Sequence, residues 1–166
     1  MNFGEEHPTT AVSYSNLAVV LKDLGEYENA KILLQKALIA DEKNFGEEHP
    51  TTAVRYSNLA TVLQDLGDYE KAKILLQKAL VSNEKNFGED HPTTAETYSD
   101  LASVLVNLEE YEGAKALSEK AYKISQNLLG EQHPDTILYK KSLDYVIQAS
   151  SFLGKLLLKF LKFFKS

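Results

Sequence analysis

The sequence predicts an all-α fold built from tandem helix pairs, and three observations predict it. Residues 2–43 and 44–85 are identical at 34 of 42 positions, and residues 86–127 match the second copy at 23 of 42. Within each copy the apolar residues recur at helical spacing. The composition, 43% hydrophobic and 25% charged, suits a chain that buries a core rather than a disordered one. A period of this length marks an array in which each unit covers its apolar face with its neighbour.

Each copy reads as two helices. In the first, Tyr14, Leu17, Ala18 and Leu21 fall at i, i+3, i+4 and i+7, one face of an amphipathic helix. Asp23-Leu24-Gly25-Glu26 interrupts it, with Gly25 free to take a positive φ at the helix end. A second stripe follows in Tyr27, Ala30, Leu33, Leu34, Ala37 and Leu38. The alanines matter most, because small side chains let helix backbones approach closely. The linker from residue 44 to 50 contains Gly46 and ends in Pro50, which suits the first turn of the next helix. The third copy departs from this pattern. Glu109 replaces the turn glycine, Ser118 stands where Leu34 and Leu76 stand, and Tyr122 replaces Leu38, so looser packing is expected there. Residues 128–150 open a fourth copy with one helix and then lose the pattern.

The order Tyr14, Leu17, Ala18, Gly25, Tyr27, Ala30, Leu34, Ala37, restated as Tyr56, Leu59, Ala60, Gly67, Tyr69, Ala72, Leu76, Ala79, resembles the tetratricopeptide repeat signature. The 42-residue unit with its Gly-x-x-His-Pro linker is similar to the kinesin light chain type. The resemblance implies a right-handed superhelical solenoid of antiparallel helix pairs, its first helices lining a concave face. It also implies that ligand contacts come from a few positions on those helices. In the first copy these are Val12, Ser15, Asn16, Val19 and Lys22. In the second they are Val54, Ser57, Asn58, Thr61 and Gln64, and in the third Glu96, Ser99, Asp100, Ser103 and Val106.

Asn16 and Asn58 occupy one slot a repeat apart. Each amide carries donor and acceptor, which suits it either to the backbone of an extended peptide or to a neighbouring helix. A chaperone-tail clamp requires cations in the third copy, where Glu96 and Asp100 stand and repel a carboxylate. The two acids lie one turn apart and prefer a basic partner, unless they are only a solvated face.

Other chemistries find little support. Net charge is −6, which disfavours nucleic acid, and there are no cysteines. His7, His49, His91 and His133 recur every 42 residues, one per copy. Such spacing keeps ligands from converging on one metal ion, so these histidines are expected to order the linker or start the next helix. No phosphate-binding glycine loop or nucleophile elbow occurs, so neither an enzyme nor a cofactor is expected. The opening residues lack a basic, then apolar, leader, and no apolar run is long enough to span a bilayer, which makes cytoplasm the default location.

The last segment differs. Residues 151–166 carry four lysines and no acid, whereas residues 1–150 sum to −10. Lys155, Lys159, Lys162 and Lys165 fall on one arc of a helix. Phe152, Leu156, Phe160 and Phe163 belong to its wide apolar remainder. A basic amphipathic helix of this kind caps the array, lies on an anionic membrane, or self-associates. The expected function is a non-catalytic module binding a peptide or helix in the concave groove. The alternative is a peripheral membrane or self-associating protein acting through the tail. A further alternative is an end piece of a longer array.

Overall fold

The structure, a computed structural model, describes residues 4, 6–151, 154, 156, 160 and 163. Seven helices order the described residues: α1 (Pro8–Asp23), α2 (Tyr27–Phe45), α3 (Pro50–Asp65), α4 (Tyr69–Phe87), α5 (Pro92–Asn107), α6 (Tyr111–Leu129) and α7 (Pro134–Ser150). No strand occurs among them.

The four His-Pro pairs start helices α1, α3, α5 and α7. Each histidine holds extended backbone, and its Nδ1 accepts the amide N–H two residues on. The donors are Thr9 at 3.2 Å, Thr51 at 3.1 Å, Thr93 at 3.2 Å and Asp135 at 3.2 Å. Histidine thus does what Ser or Asp does at most helix starts, and the following proline has no N–H to satisfy. The linkers are tied down as well. Thr52 Oγ1 donates to the Gly46 carbonyl at 2.7 Å, and Lys85 pairs with Glu48 as Lys43 pairs with Glu6.

Within each pair the turn requires a left-handed residue. Gly25 and Gly67 supply it with φ of +79° and +78°. Glu109 takes the same place at φ +63°. A side chain in that region costs about 1–2 kcal/mol, so the third turn is held by its surroundings rather than by local preference.

The chain divides into two compact units, residues 1–89 and 90–166. In the first, α2 packs on both α1 and α3, and α4 packs on α3. Helix α3 therefore has a neighbour on two sides, and it buries Tyr56, Leu59, Ala60, Val62 and Leu63. Helix α1 packs chiefly on α2, and it buries just Ala11, Ser15 and Ala18. Ala30, Ala37, Ala72 and Ala79 are fully buried, as close backbone approach requires. One ion pair sits inside this packing. Arg55 Nε donates to Asp41 Oδ2 at 2.7 Å, joining α3 to α2 with both side chains buried.

In the second unit α6 packs on α5 and α7, and α7 also touches α5. Its core holds Tyr98, Leu101, Val104, Ala114, Ala121, Ile124 and Val146. Ser125 and Thr136 share a buried hydrogen bond of 2.8 Å between α6 and α7.

Helix α7 stops at Ser151, which is extended; its Oγ accepts the N–H of Gly154 at 3.0 Å. A Cβ on Gly154 would fall 1.9 Å from the Gln148 carbonyl oxygen, so only glycine fits this close pass. Gly154, Leu156, Phe160 and Phe163 have helical backbone. Of the expected amphipathic helix, Phe152, Lys155, Lys159, Lys162 and Lys165 lie outside the described residues.

Candidate functional site

In the first unit the sequence-predicted positions fall on α1 and α3. Two faces of α3 are covered by α2 and α4, and the predicted residues occupy what is left. Val54 is about half exposed, and Ser57, Asn58, Thr61 and Gln64 are partly so. On α1, Val12, Asn16 and Val19 are exposed and Lys22 is partly covered. Ser15 is different. It is buried, and its Oγ takes the Asn58 amide at a long 3.5 Å. That bond uses one donor of Asn58 and leaves its second N–H and its carbonyl. Asn16 and Asn58, alike in sequence, therefore differ in setting. A separate cleft of about 320 Å³ lies among α2, α3 and α4, with Leu59, Leu63 and Leu75 in its wall and the Asp68–Lys71 pair beside it.

In the second unit the structure brings predicted residues together with others. Ser99, Asp100, Ser103 and Val106 of α5 line a cleft of about 430 Å³. Ser118 of α6 lines it too, as do Lys141, Ser142, Tyr145 and Val146 of α7. One wall residue departs from the repeat. Leu34 and Leu76 occupy the Ser118 position in the other copies, and both are buried. A serine there is smaller and polar. Its Oγ is buried and has no hydrogen-bond partner.

The electrostatics of this cleft are those of an unpaired acid. Burial, and after it the charge of Glu96, push the Asp100 carboxyl up to about 6. No cation pairs with Asp100 among the described residues. Tyr139 on α7 feels the same acids. Burial first, then Glu96, Asp135 and Asp100, push its phenol up to about 12. Glu96 and Asp100 are thus the neighbours their spacing implies, and α7 faces them.

Four of the α5 positions named from sequence line this cleft, whereas its residues on α6 and α7 were not among the predicted site residues. The signal for Ser118 was present, a hydroxyl in a slot that is leucine twice before. No comparable signal marked Lys141, Ser142 or Tyr145, because the fourth copy had lost its register. Among the described residues no three histidine, aspartate or glutamate side chains are grouped to hold a metal ion. Among the same residues no helix is long and apolar enough to cross a membrane.

Comparisons place this geometry. The tetratricopeptide repeat family model matches residues 9–80 and 56–124. No curated protein is significantly similar to the chain. Among solved structures, BtubC (BKLC) from P. vanneervenii is 26% identical with a TM-score of 0.79; the match covers 87% of this chain and 58% of that one. The chain thus spans less than two thirds of BtubC. Two structures of nearly identical, kinesin light chain-type TPR-like repeats from Podosopora anserina also superpose. One carries a point substitution and is 23% identical with a TM-score of 0.80, covering 97% of this chain and 77% of that one. The other is 24% identical with a TM-score of 0.78, covering 95% and 76%. The repeat signature, the helix pairs and these matches agree: the chain is an all-α repeat solenoid and belongs to the tetratricopeptide repeat family.

Proposed function

We propose that the chain is a non-catalytic interaction module that grips a peptide or helix of a partner protein along the open faces of its first helices. One observation carries this reading. Helix α3 is covered on two sides, yet it leaves Val54, Asn58, Thr61 and Gln64 accessible as a mixed apolar and amide strip. Apolar side chains supply contact area, and amides supply donors and acceptors that tolerate many partner sequences. Val12, Asn16, Val19 and Lys22 extend the same pattern on α1, and Glu96, Asp100 and Ser103 supply the acidic version on α5. The test is capture from lysate of the source cell with the intact chain and with Asn16→Asp plus Asn58→Asp. Partners held by the strip are expected to be lost from the double variant, which keeps its circular dichroism spectrum. Capture unchanged by that variant rejects the strip.

A second reading rests on the tail. Leu156, Phe160 and Phe163 are 58%, 60% and 77% exposed, although they stand at the repeat positions of Ala30, Leu34 and Ala37, which are buried. Exposed apolar side chains beside lysines suit an anionic membrane surface or a second copy of the chain. Co-sedimentation with phosphatidylserine vesicles is expected for the full chain and not for residues 1–150. Equal sedimentation of both rejects membrane binding through the tail.

A further inference from the structure

The cleft of the second unit has a chemical bias. Asn107 lines it and already donates its Nδ2 to the Ser103 carbonyl at 3.0 Å. Ser142 donates its hydroxyl to the Leu138 carbonyl at 3.2 Å. Asn107 keeps its second N–H and its carbonyl oxygen, and Ser142 keeps its oxygen lone pairs. Asp100 adds a carboxylate that no cation neutralises, with Glu96 one turn away. At the inner wall Ser118 is 2% exposed and its hydroxyl has no partner, an arrangement that is costly unless something fills it. Asp100 and Lys141 balance in formal charge along the lining, and Glu96, close to Asp100, adds a second acid beyond it. That lysine is exposed, makes no ion pair with Asp100, and can carry its ammonium into solvent.

We infer that this cleft is a pocket for an arginine side chain of the bound partner. A guanidinium presents five N–H donors in a planar fork, and the fork can meet a carboxylate while its other edge reaches hydroxyls on a second and third helix. An ammonium offers three donors from one point and serves such a spread of acceptors less well. The cleft volume, about 430 Å³, falls within the range of roughly 300–1,000 Å³ typical of ligand clefts. A bound cation would also neutralise Asp100, removing the penalty that its burial imposes. The inference deepens the peptide-binding reading given above, and it selects the position along the chain where the partner presents its charge.

The test needs no knowledge of the partner. The ¹⁵N-labelled full chain is titrated with N-acetyl-arginine methylamide, its neutral isostere N-acetyl-citrulline methylamide, and N-acetyl-glutamate methylamide. Arginine is expected to give saturable amide shifts confined to Ser99, Asp100, Ser118 and Ser142. Citrulline and glutamate are expected to bind about tenfold more weakly or not at all. Asp100→Asn removes the charge, and Ser118→Leu refills the cleft with the residue of the other copies; both are expected to abolish the shifts. Lys141→Gln is expected to tighten arginine binding. No local saturable shift with arginine, equal shifts with citrulline, stronger shifts with glutamate, or shifts that survive both cleft variants would each overturn the inference. None of these outcomes touches the Asn16 and Asn58 strip, whose failure shows only in the capture experiment.

Discussion

Asp100 is where one side chain affects both binding and stability. Its carboxyl titrates at about 6 in the folded chain, above the value near 3.9 expected when unfolded. The folded state therefore holds the proton more tightly. The stability this contributes is complete below pH 4 and is lost as pH rises through 6. Asp100→Asn cannot ionise, so it escapes the loss. Urea midpoints at pH 4 and pH 7 are expected to show the variant gaining on the parent by about 1–3 kcal/mol between the two. A parallel pH dependence in both chains would mean that Asp100 is not the group responsible. Glu96 and Tyr139 face the same carboxyl, and both lie outside the substitution. The variant that gains stability is also the one expected to lose arginine, as is common where a binding group is held at a cost.

At the scale of elements, the contact between α2 and α3 turns on Asp41 and Arg55. A buried pair is weak evidence of net stabilisation, but breaking it from one side leaves a buried charge alone. Asp41→Ala is expected to cost about 3–5 kcal/mol in urea denaturation. Asp41→Asn combined with Arg55→Thr installs the residues found 42 positions later, Asn83 and Thr97. This double variant is expected to lose much less than Asp41→Ala, because it removes both charges. A loss as large as that of the single variant would show that the pair itself stabilises the helix contact. Arg55 was hard to single out from sequence. It is one of eight differences between the first two copies, standing where the first has Ser13, and a charged residue in an amphipathic helix reads as solvent-facing until its neighbour is known. The helix starts were easier. Proline and histidine act through local backbone geometry, so the four His-Pro pairs marked α1, α3, α5 and α7 without any tertiary knowledge.

At the scale of the whole chain, near-identical copies acquire different environments. Leu17 and Leu59 are the same residue at the same repeat position, yet Leu17 is 50% exposed and Leu59 is 4% exposed. Helix α1 has α2 on one side, while α3 lies between α2 and α4. Leu59→Ala is expected to cost about 2–5 kcal/mol, as buried leucines do. Leu17→Ala is expected to cost well under half as much, because it loses little buried area and leaves no cavity. Paired urea curves check this, and equal losses would show that α1 is covered in solution. By itself, the sequence determined the helix pairs, their 42-residue period, the caps, the turns and the family. All of these follow from interactions among residues close in the chain, repeated in register. Only the tertiary structure decided which copies of a side chain are buried, that Asp41 meets Arg55, and that Ser118 lines a cleft walled by α5, α6 and α7. Those outcomes depend on how many neighbours a helix has and what they present, and identical local sequence carries no information about that.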